Sequence, residues 1–225
     1  MPSFIPEHCV VKSRAISPDI CNEIIELGLH KTNLSFGQVG SFLNPEDPEK
    51  TQKFTRKSGI GWLDREATLS DGKTIFEHIT PIVREVNSNV FKFDCNYHET
   101  YQFTIYKAPD EHYHWHCDGH FEPYTEEECK GDPNKEERVN GYRKLSYSVN
   151  LTHPDEYEGG HFEWCDPYSV NPLHDPERAI FRGQQSAREQ GSIIIFPSFV
   201  YHRVTPVTHG RRHSLVGWIA GPTFR

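Results

Sequence analysis

The amino-acid sequence predicts a mainly β protein with helices in its N-terminal part. The spacing of apolar residues is helical before about residue 90 and alternates with a period of two after it. The later part also contains many short runs rich in β-branched and aromatic residues, separated by Gly- and Pro-containing connections. We expect a single domain over 1–225, with a helix-rich part at about 1–90 packed on a β core at about 91–222.

Two segments of the N-terminal part have the spacing of amphipathic helices. In SPDICNEIIELG, Ser17 is placed to cap a helix, Pro18 suits its first position, and Gly28 is expected to end it. The second segment spans 73–90, where Pro81 predicts either a kink or a break. Each helix has an apolar face, which predicts packing against the β core.

Six runs after residue 90 predict strands, and their alternation and turn-rich connections are typical of a sandwich or a barrel. The runs lie at 101–106, 113–118, 145–152, 160–164, 192–197 and 213–219. Two connections, 119–143 and 166–190, are too long for simple turns. Connections of that length are usually functional or disordered.

Composition and charge exclude several classes of function. There are 24 Lys and Arg against 32 Asp and Glu, a formal net charge of −8, so we expect no nucleic-acid partner. The chain has no basic start followed by an apolar run, and no apolar stretch long enough to cross a membrane. We therefore expect a cytoplasmic protein with no membrane partner. The six cysteines are scattered without a CxxC pair, which predicts free thiols.

The segment EHYHWHCDGH, residues 111–120, concentrates side chains that bind metals. In an extended strand, side chains two residues apart share a face at a spacing of roughly 6.6 Å. His114 with His116 would be an imidazole pair typical of zinc, and His116 with Asp118 a pair typical of a mixed iron site. His112 lies roughly 13 Å from His116, too far for both to bind one ion. The spacing alone leaves both pairs open.

The C-terminal segment IIIFPSFVYHRVTPVTHGRRHSLVGWI favours the iron alternative. His202 follows an apolar strand, and Arg212 comes ten residues later. Two histidines and one carboxylate bind iron through one face of an octahedron, leaving three positions for substrate and oxygen. A 2-oxoacid would fill two of these positions, and the far carboxylate of 2-oxoglutarate would then need a cation. Arg212 meets that need, whereas alternation places Arg211 on the opposite face.

These residues carry a resemblance to a known family. The segments FKFDCNYHETYQFTIYKAPDEHYHWHCD, LSYSVNLTHPDEYEGGHF and FPSFVYHRVTPVTHGRRHSLVGWIAGP resemble the Fe(II)- and 2-oxoglutarate-dependent dioxygenases. Within that family the chain is most similar to the prolyl 4-hydroxylase-like branch and its PKHD-type members. The resemblance covers about 90–222 and implies a double-stranded β-helix, or jelly roll, as the core.

The resemblance also implies a role for each residue of the site. It implies iron ligands at His116, Asp118 and His202, 2-oxoglutarate-binding residues at Arg212, Tyr106, Ser214 and Asn150, and substrate-pocket residues at Tyr113 and Trp218. The implied cofactors are Fe(II), 2-oxoglutarate as co-substrate, O2, and ascorbate as reductant. The chain departs from the family at 107–112, where relatives often have a glycine-containing loop, and at His161, where many have a carboxylate.

The activity implied by the resemblance is hydroxylation of an unactivated C–H bond, with succinate and CO2 as co-products. We expect a prolyl residue in a protein or peptide as the substrate. Another residue, a free amino acid or a small molecule is the alternative. Two different classes also remain open: a zinc lyase or hydrolase built on His114 and His116, and a non-catalytic metal-binding jelly-roll module.

Overall fold

The structure, a computed structural model, describes residues 9–31, 34–37, 55–119, 122–131, 135–165, 181–183 and 185–223. Most of the connection predicted at 166–190 therefore lies outside the described residues. The helices are α1 (Pro18–Lys31), α2 (Ile75–Val86) and α3 (Lys135–Arg138), with shorter helical turns at Asn87–Phe91, Pro154–Glu156 and Gln185–Arg188. The strands are β1 (Val10–Lys12), β2 (Ser35–Phe36), β3 (Arg56–Lys57), β4 (Gly59–Leu63), β5 (Tyr97–His98), β6 (Tyr101–Lys107), β7 (His112–His116), β8 (Tyr142–Asn150), β9 (Tyr157–Gly159), β10 (Phe162–Cys165), β11 (Phe181–Gly183), β12 (Ile193–Pro197), β13 (His202–Val204) and β14 (Val207–Gly221).

Within the described residues the strands form two antiparallel sheets. The larger has the order β1-β12-β8-β14-β6-β4-β2, with β5 and β9 also paired to β14, and the smaller has the order β11-β10-β13-β7-β3. Side chains of the two sheets meet between them, as where the rings of Phe162 and Phe196 lie 5.5 Å apart. Two antiparallel sheets packed face to face confirm the mainly β, jelly-roll fold class.

All six predicted strands occur, with different ends. The largest difference is β14, which extends over Val207–Gly221 because it pairs with β6, β8 and β9 along its length. The N-terminal part is less purely helical than the periodicity predicts, since β1, β2 and β4 extend the larger sheet and β3 extends the smaller one. These strands are too short to show a reliable alternation in the sequence.

The helix α1 begins where the sequence predicts and ends later. The Ser17 hydroxyl accepts a hydrogen bond from the Ile20 N–H at 3.4 Å, consistent with its capping position. Gly28 does not end the helix, so that prediction is wrong. A Cβ atom at Gly28 would lie 2.4 Å from ring atoms of Phe103, so this glycine instead permits α1 to pack closely on β6.

The second predicted helix forms as a single element. Thr74 and Glu77 make a capping box at the start of α2, each side chain accepting from the backbone N–H of the other. Pro81 lies inside α2 and does not divide it. The chain then continues into a π-helical turn at Asn87–Phe91.

The larger sheet has one apolar face, which forms the core with the helices, and one face with more buried polar residues. On β6, Tyr101, Phe103 and Ile105 pack against both helices, in a core that also takes residues from β8, β12 and β14. The alternate residues of the same strands face the smaller sheet. All six cysteines are free, as predicted. Among the described residues, no helix combines the length and apolar character needed to cross a membrane.

Candidate iron and 2-oxoglutarate site

Strand pairing brings the two predicted histidine ligands together. His116 ends β7 and His202 begins β13, and the two residues are direct partners across these strands. Asp118 follows β7 in a turn held by Ser198, whose carbonyl oxygen accepts from the N–H groups of Asp118 and Gly119 at 2.9 and 2.7 Å. The loop between β12 and β13 therefore anchors the carboxylate beside the two imidazoles.

The three predicted ligands form one compact group, in which His202 is buried and His116 and Asp118 are half-buried. Asp118 Oδ1 lies 3.6 Å from His116 Nε2, and Asp118 Oδ2 lies 3.6 Å from His202 Nε2. One ligand atom from each of the three residues lies within 4.8 Å of the other two. This spacing suits three ligands on one face of a single ion.

Backbone carbonyl groups orient both imidazoles toward the centre of this group. His116 Nδ1 lies 2.7 Å from the His114 carbonyl oxygen, and His202 Nδ1 lies 3.0 Å from the Val200 carbonyl oxygen. Each Nδ1 therefore carries the proton and donates it to the carbonyl. The Nε2 lone pair is left for a metal, as in histidine ligands whose other nitrogen is hydrogen-bonded.

The carboxylate of Asp118 fits a bound cation. Its Oδ2 atom is buried, and no described residue donates a hydrogen bond to it. Burial would raise the pKa of the Asp118 carboxyl, but His202, His116 and Arg143 lower that pKa to about 2. Burial and the neighbouring His202 lower the pKa of His116 well below its ordinary value. A charged carboxylate beside neutral imidazole is the protonation state that metal binding requires.

A bulge in β7 separates His114 from this group. Val204 of β13 pairs with Tyr113, and His202 pairs with His116, so β7 has an extra residue between the two pairs. Tyr113 and His116 consequently share a face, with ring centroids 3.5 Å apart. His114 is not a member of the potential ligand group found among the described residues. The geometry thus supports the pairing of His116 with Asp118 over that with His114.

Arg212 provides a buried cation near this group, since Arg212 and Asp118 both influence the pKa of the Tyr106 hydroxyl. Arg212 is 3% exposed, and its buried Nη1 atom has no hydrogen-bond partner among the described residues. Arg212 pairs across the strands with Tyr106, and the guanidinium carbon lies 5.7 Å from the Tyr106 ring centroid. Gly160 makes room for it, since a Cβ there would lie 3.0 Å from Arg212 Cδ. The arrangement fits an anion such as a carboxylate.

The other predicted co-substrate residues lie on the same side of the larger sheet as Arg212, and they differ in whether their polar groups are already hydrogen-bonded. Tyr106 and Ser214 are buried, and burial raises the pKa of the Tyr106 hydroxyl. Asn150 pairs with Ser214, but its amide donates to the carbonyl oxygens of Thr152 and Arg188 at 2.9 and 2.7 Å. The Asn150 amide therefore holds two connections in place, and its contact with 2-oxoglutarate stays a prediction.

The two predicted substrate-pocket residues lie in different surroundings. Tyr113 stacks on His116, so it covers one side of the predicted iron ligand. Trp218 has a buried indole N–H without a hydrogen-bond partner. Its ring lies 6.2 Å from that of Trp62, which is 51% exposed. Trp218 therefore lies next to an exposed aromatic side chain.

Sequence reasoning missed a charged network beside Trp218. Arg143 lies over the Trp218 ring at 4.2 Å and donates two hydrogen bonds to Glu99, at 2.8 and 2.7 Å. The Tyr124 hydroxyl donates to the same carboxylate at 2.5 Å, which ties the predicted long connection at 119–143 to the site. No local pattern connects residues so far apart in the chain.

The chain departs from the family pattern at two places. The first, His161, lies near Arg188, with 3.4 Å between His161 Nδ1 and Arg188 Nη1. It is exposed and is not one of the clustered potential ligands. The other departure, at 107–112, forms the short connection between β6 and β7 and the start of β7. Neither departure alters the group formed by His116, Asp118 and His202.

Comparison with solved structures supports the fold. A prolyl-4-hydroxylase from Pseudomonas putida aligns with a TM-score of 0.63 at 15% identity, over 94% of this chain and 92% of that one. A viral collagen prolyl hydroxylase from Paramecium bursaria Chlorella virus-1 aligns with a TM-score of 0.57 at 18% identity, over 96% and 97% of the two chains. At these identities the likeness establishes a common fold.

Sequence comparison identifies the family. A PKHD-type hydroxylase from Hyphomonas neptunium is 36% identical over 75 residues, which cover 33% of this chain and 28% of that protein. The matched segments span 27% to 38% of the lengths of such curated relatives. The family described as the 2OG-Fe(II) oxygenase superfamily matches residues 101–220. Because that match covers more than half of the chain and contains the His116, Asp118 and His202 group, this chain belongs to the 2OG-Fe(II) oxygenase superfamily.

Proposed function

We propose that this protein is an iron- and 2-oxoglutarate-dependent oxygenase that hydroxylates a prolyl residue in a protein or peptide. Succinate and CO2 are the co-products, and ascorbate is the reductant. The observation that carries the proposal is that the His116, Asp118 and His202 group and the buried Arg212 both lie near Tyr106, since Arg212 and Asp118 both influence the pKa of its hydroxyl. A metal site and a separate anion site are what a chelating dicarboxylic co-substrate requires.

In this proposal, His116, Asp118 and His202 hold Fe(II). Bound iron supplies the activation of O2 that is coupled to decarboxylation of 2-oxoglutarate and oxidation of the C–H bond. Arg212 binds the distal carboxylate of 2-oxoglutarate, with Ser214 beside it on the same face of β14.

The other residues of the cavity shape it. Tyr106 contributes a buried hydroxyl, and Asn150 holds the neighbouring connections. Tyr113 and Trp218 contribute the walls against which an apolar ring such as that of proline would pack. We further propose that residues 1–225 act as one domain, since the N-terminal strands complete both sheets.

The prolyl substrate is supported by the names of similar proteins and by the aromatic walls. The similar sequences include PKHD-type hydroxylases, and the similar structures include prolyl hydroxylases. A similar structure from Trichoplax adhaerens contains a hypoxia inducible factor peptide fragment, at a TM-score of 0.58 and 13% identity. A peptide substrate is therefore a reasonable first choice.

The test is release of succinate by the protein reconstituted with Fe(II), with a peptide library analysed by mass. We expect a gain of one oxygen atom on proline, dependent on 2-oxoglutarate. Asp118→Ala should abolish both signals, because the carboxylate ligand is lost. Asp155→Ala is the matched control, since the Asp155 side chain is 88% exposed and remote from the cluster. Oxygen gained on another residue or a free amino acid would refute the prolyl assignment, and bound iron without succinate would refute the enzyme.

A further inference from the structure

Arg56 is a second buried guanidinium near the predicted iron ligands, over the ring of Tyr113 that stacks on His116. It begins β3, which pairs with β7 beside Tyr113. Arg56 is 4% exposed. No carboxylate of the described residues pairs with Arg56, whose hydrogen-bond partners are neutral. A buried cation is unfavourable unless an anion or a set of hydrogen bonds compensates it.

The neutral partners satisfy only part of this guanidinium. Arg56 Nε donates to the Ser58 hydroxyl at 2.8 Å, and Nη2 donates to Gln102 Oε1 at 2.8 Å. A guanidinium carries five N–H donors in a planar fork. Two donors are thus occupied, and the described residues provide no hydrogen-bond acceptor for the remaining three.

The guanidinium is held in a defined position. Its carbon lies 4.3 Å above the ring of Tyr113, which in turn stacks on His116. On its other side, a Cβ atom at Gly37 would lie 2.6 Å from Arg56 Nε. Only a glycine leaves enough room at that position. Arg56 is therefore oriented before any ligand arrives.

Arg56 and Arg212 contact β6 at different positions along the strand. Arg212 pairs with Tyr106, whereas Arg56 binds Gln102, which is four residues earlier on the same face of β6. Four residues of strand span roughly 13 Å. Gln102 pairs across to Trp62, which is 51% exposed, so Arg56 lies near an exposed aromatic side chain rather than beside Arg212.

We propose that Arg56 binds a carboxylate of the primary substrate and so selects an acidic substrate. The inference rests on the proposed oxygenase function and adds the substrate class to it. Arg56 forms a two-point contact with the carboxylate while Arg212 holds 2-oxoglutarate. The carboxylate belongs either to an acidic side chain beside the hydroxylated residue or to a C-terminal residue.

The test compares short prolyl peptides in matched pairs. One pair has Glu or Gln next to proline, and another has proline as a C-terminal acid or amide, which distinguishes the two sources of carboxylate. We expect the wild type to prefer one acidic member by roughly 10- to 100-fold in kcat/KM. Arg56→Met should bring the ratio of kcat/KM for the acidic and neutral peptides close to one, by raising KM for the acidic peptide. Arg56→Lys should retain part of the preference.

Two further variants separate recognition from structure. Gly37→Ala should also reduce the preference, because its Cβ displaces the guanidinium without removing the charge. Arg84→Met is the control, since Arg84 is an exposed arginine that lies 5.8 Å from the ring of Phe76 on α2. An equal loss of both members of each pair in Arg56→Met, or a rise in KM for 2-oxoglutarate alone, would overturn the proposal.

If no prolyl peptide is oxidised, the prolyl substrate is refuted, but the role of Arg56 is not. A binding measurement then tests Arg56 directly. The probe is N-acetylglycine, compared with its amide, added to protein loaded with Mn(II) and saturating 2-oxoglutarate. Calorimetry should detect the acid and not the amide in the wild type, and neither in Arg56→Met. Equal binding of acid and amide, binding that survives Arg56→Met, or no binding of the acid would overturn the role of Arg56.

Discussion

Arg212 brings a positive charge into the interior of the protein, with a buried Nη1 that has no hydrogen-bond partner among the described residues. Asp118 brings a negative charge into the interior, with a buried Oδ2 for which the described part of the chain also provides no hydrogen bond. Unsatisfied buried charges are costly, so each is expected to meet a ligand of opposite charge. At the scale of single residues, these two atoms are the strongest structural indication of function.

Replacing Arg212 should weaken binding of 2-oxoglutarate. Loss of one partner from a buried ion pair costs about 3 to 5 kcal/mol, so we expect Arg212→Ala to raise the KM for 2-oxoglutarate by roughly a hundredfold or more. The measurement is succinate release as a function of 2-oxoglutarate concentration. Iron content should stay at the wild-type level, and an unchanged KM would contradict the assignment of Arg212.

Gly160 should be required for the position of Arg212. It has a φ of +58°, and a Cβ there would lie 2.9 Å from Val207 Cγ2 and 3.0 Å from Arg212 Cδ. We expect Gly160→Ala to raise the KM for 2-oxoglutarate and to lower Tm. Gly72→Ala is the matched control, because Gly72 has a φ of +83° but no atom within 4 Å. The control should show only the backbone cost of about 1–2 kcal/mol, with KM unchanged.

At the scale of secondary-structure elements, the bulge in β7 has the largest effect on the site. Alternation predicts that His114 and His116 share a face. The extra residue between the pairs at Tyr113 and His116 turns the strand so that Tyr113 joins His116 instead. A bulge depends on the partner strand, here β13, and leaves no sign in the local sequence.

The contact of α1 with β6 yields a prediction of stability. Alanine has a higher helix propensity than glycine by about 1 kcal/mol, so propensity alone predicts that Gly28→Ala stabilises the protein. We expect the opposite, a loss of about 1–2 kcal/mol, because the new Cβ would lie 2.4 Å from the Phe103 ring. Urea denaturation measures the free energy of unfolding. Leu29→Ala, at an exposed position of the same helix, should change it little, and a stabilised Gly28→Ala would refute the contact.

At the scale of the whole molecule, buried histidines should make stability depend on pH. Burial lowers the pKa of both His98 and His213 to about 4. In the unfolded chain a histidine titrates at about 6.5, so the unfolded state takes up protons first as the pH falls. Stability is therefore complete above about pH 6.5 and decreases between that pH and about 4.

The magnitude can be tested with histidine variants. A pKa difference of about 2.5 units corresponds to about 3 kcal/mol for His98. Urea denaturation between neutral pH and pH 4.5 should show a smaller loss of stability in His98→Gln and His213→Gln than in the wild type. The lowered pKa of Asp118, about 2, acts only at lower pH. If both variants lose as much unfolding free energy as the wild type between neutral pH and pH 4.5, burial of these histidines does not control stability at acidic pH.

The sequence by itself determined the family, the fold class, and the residue types and spacings of the candidate site, from His116 and Asp118 to His202 and Arg212. The fold class follows from local periodicity, which is present in the chain before it folds. The family, and with it the set of His116, Asp118, His202 and Arg212, follows from the resemblance of three segments to a known family. The tertiary structure groups Asp118 and not His114 with His116, pairs Arg143 with Glu99, and buries Arg56 with no acidic partner among the described residues. Each of these depends on contact between elements that are distant in the chain. Strand register and packing determine which side chains meet there, and the local sequence does not distinguish between them.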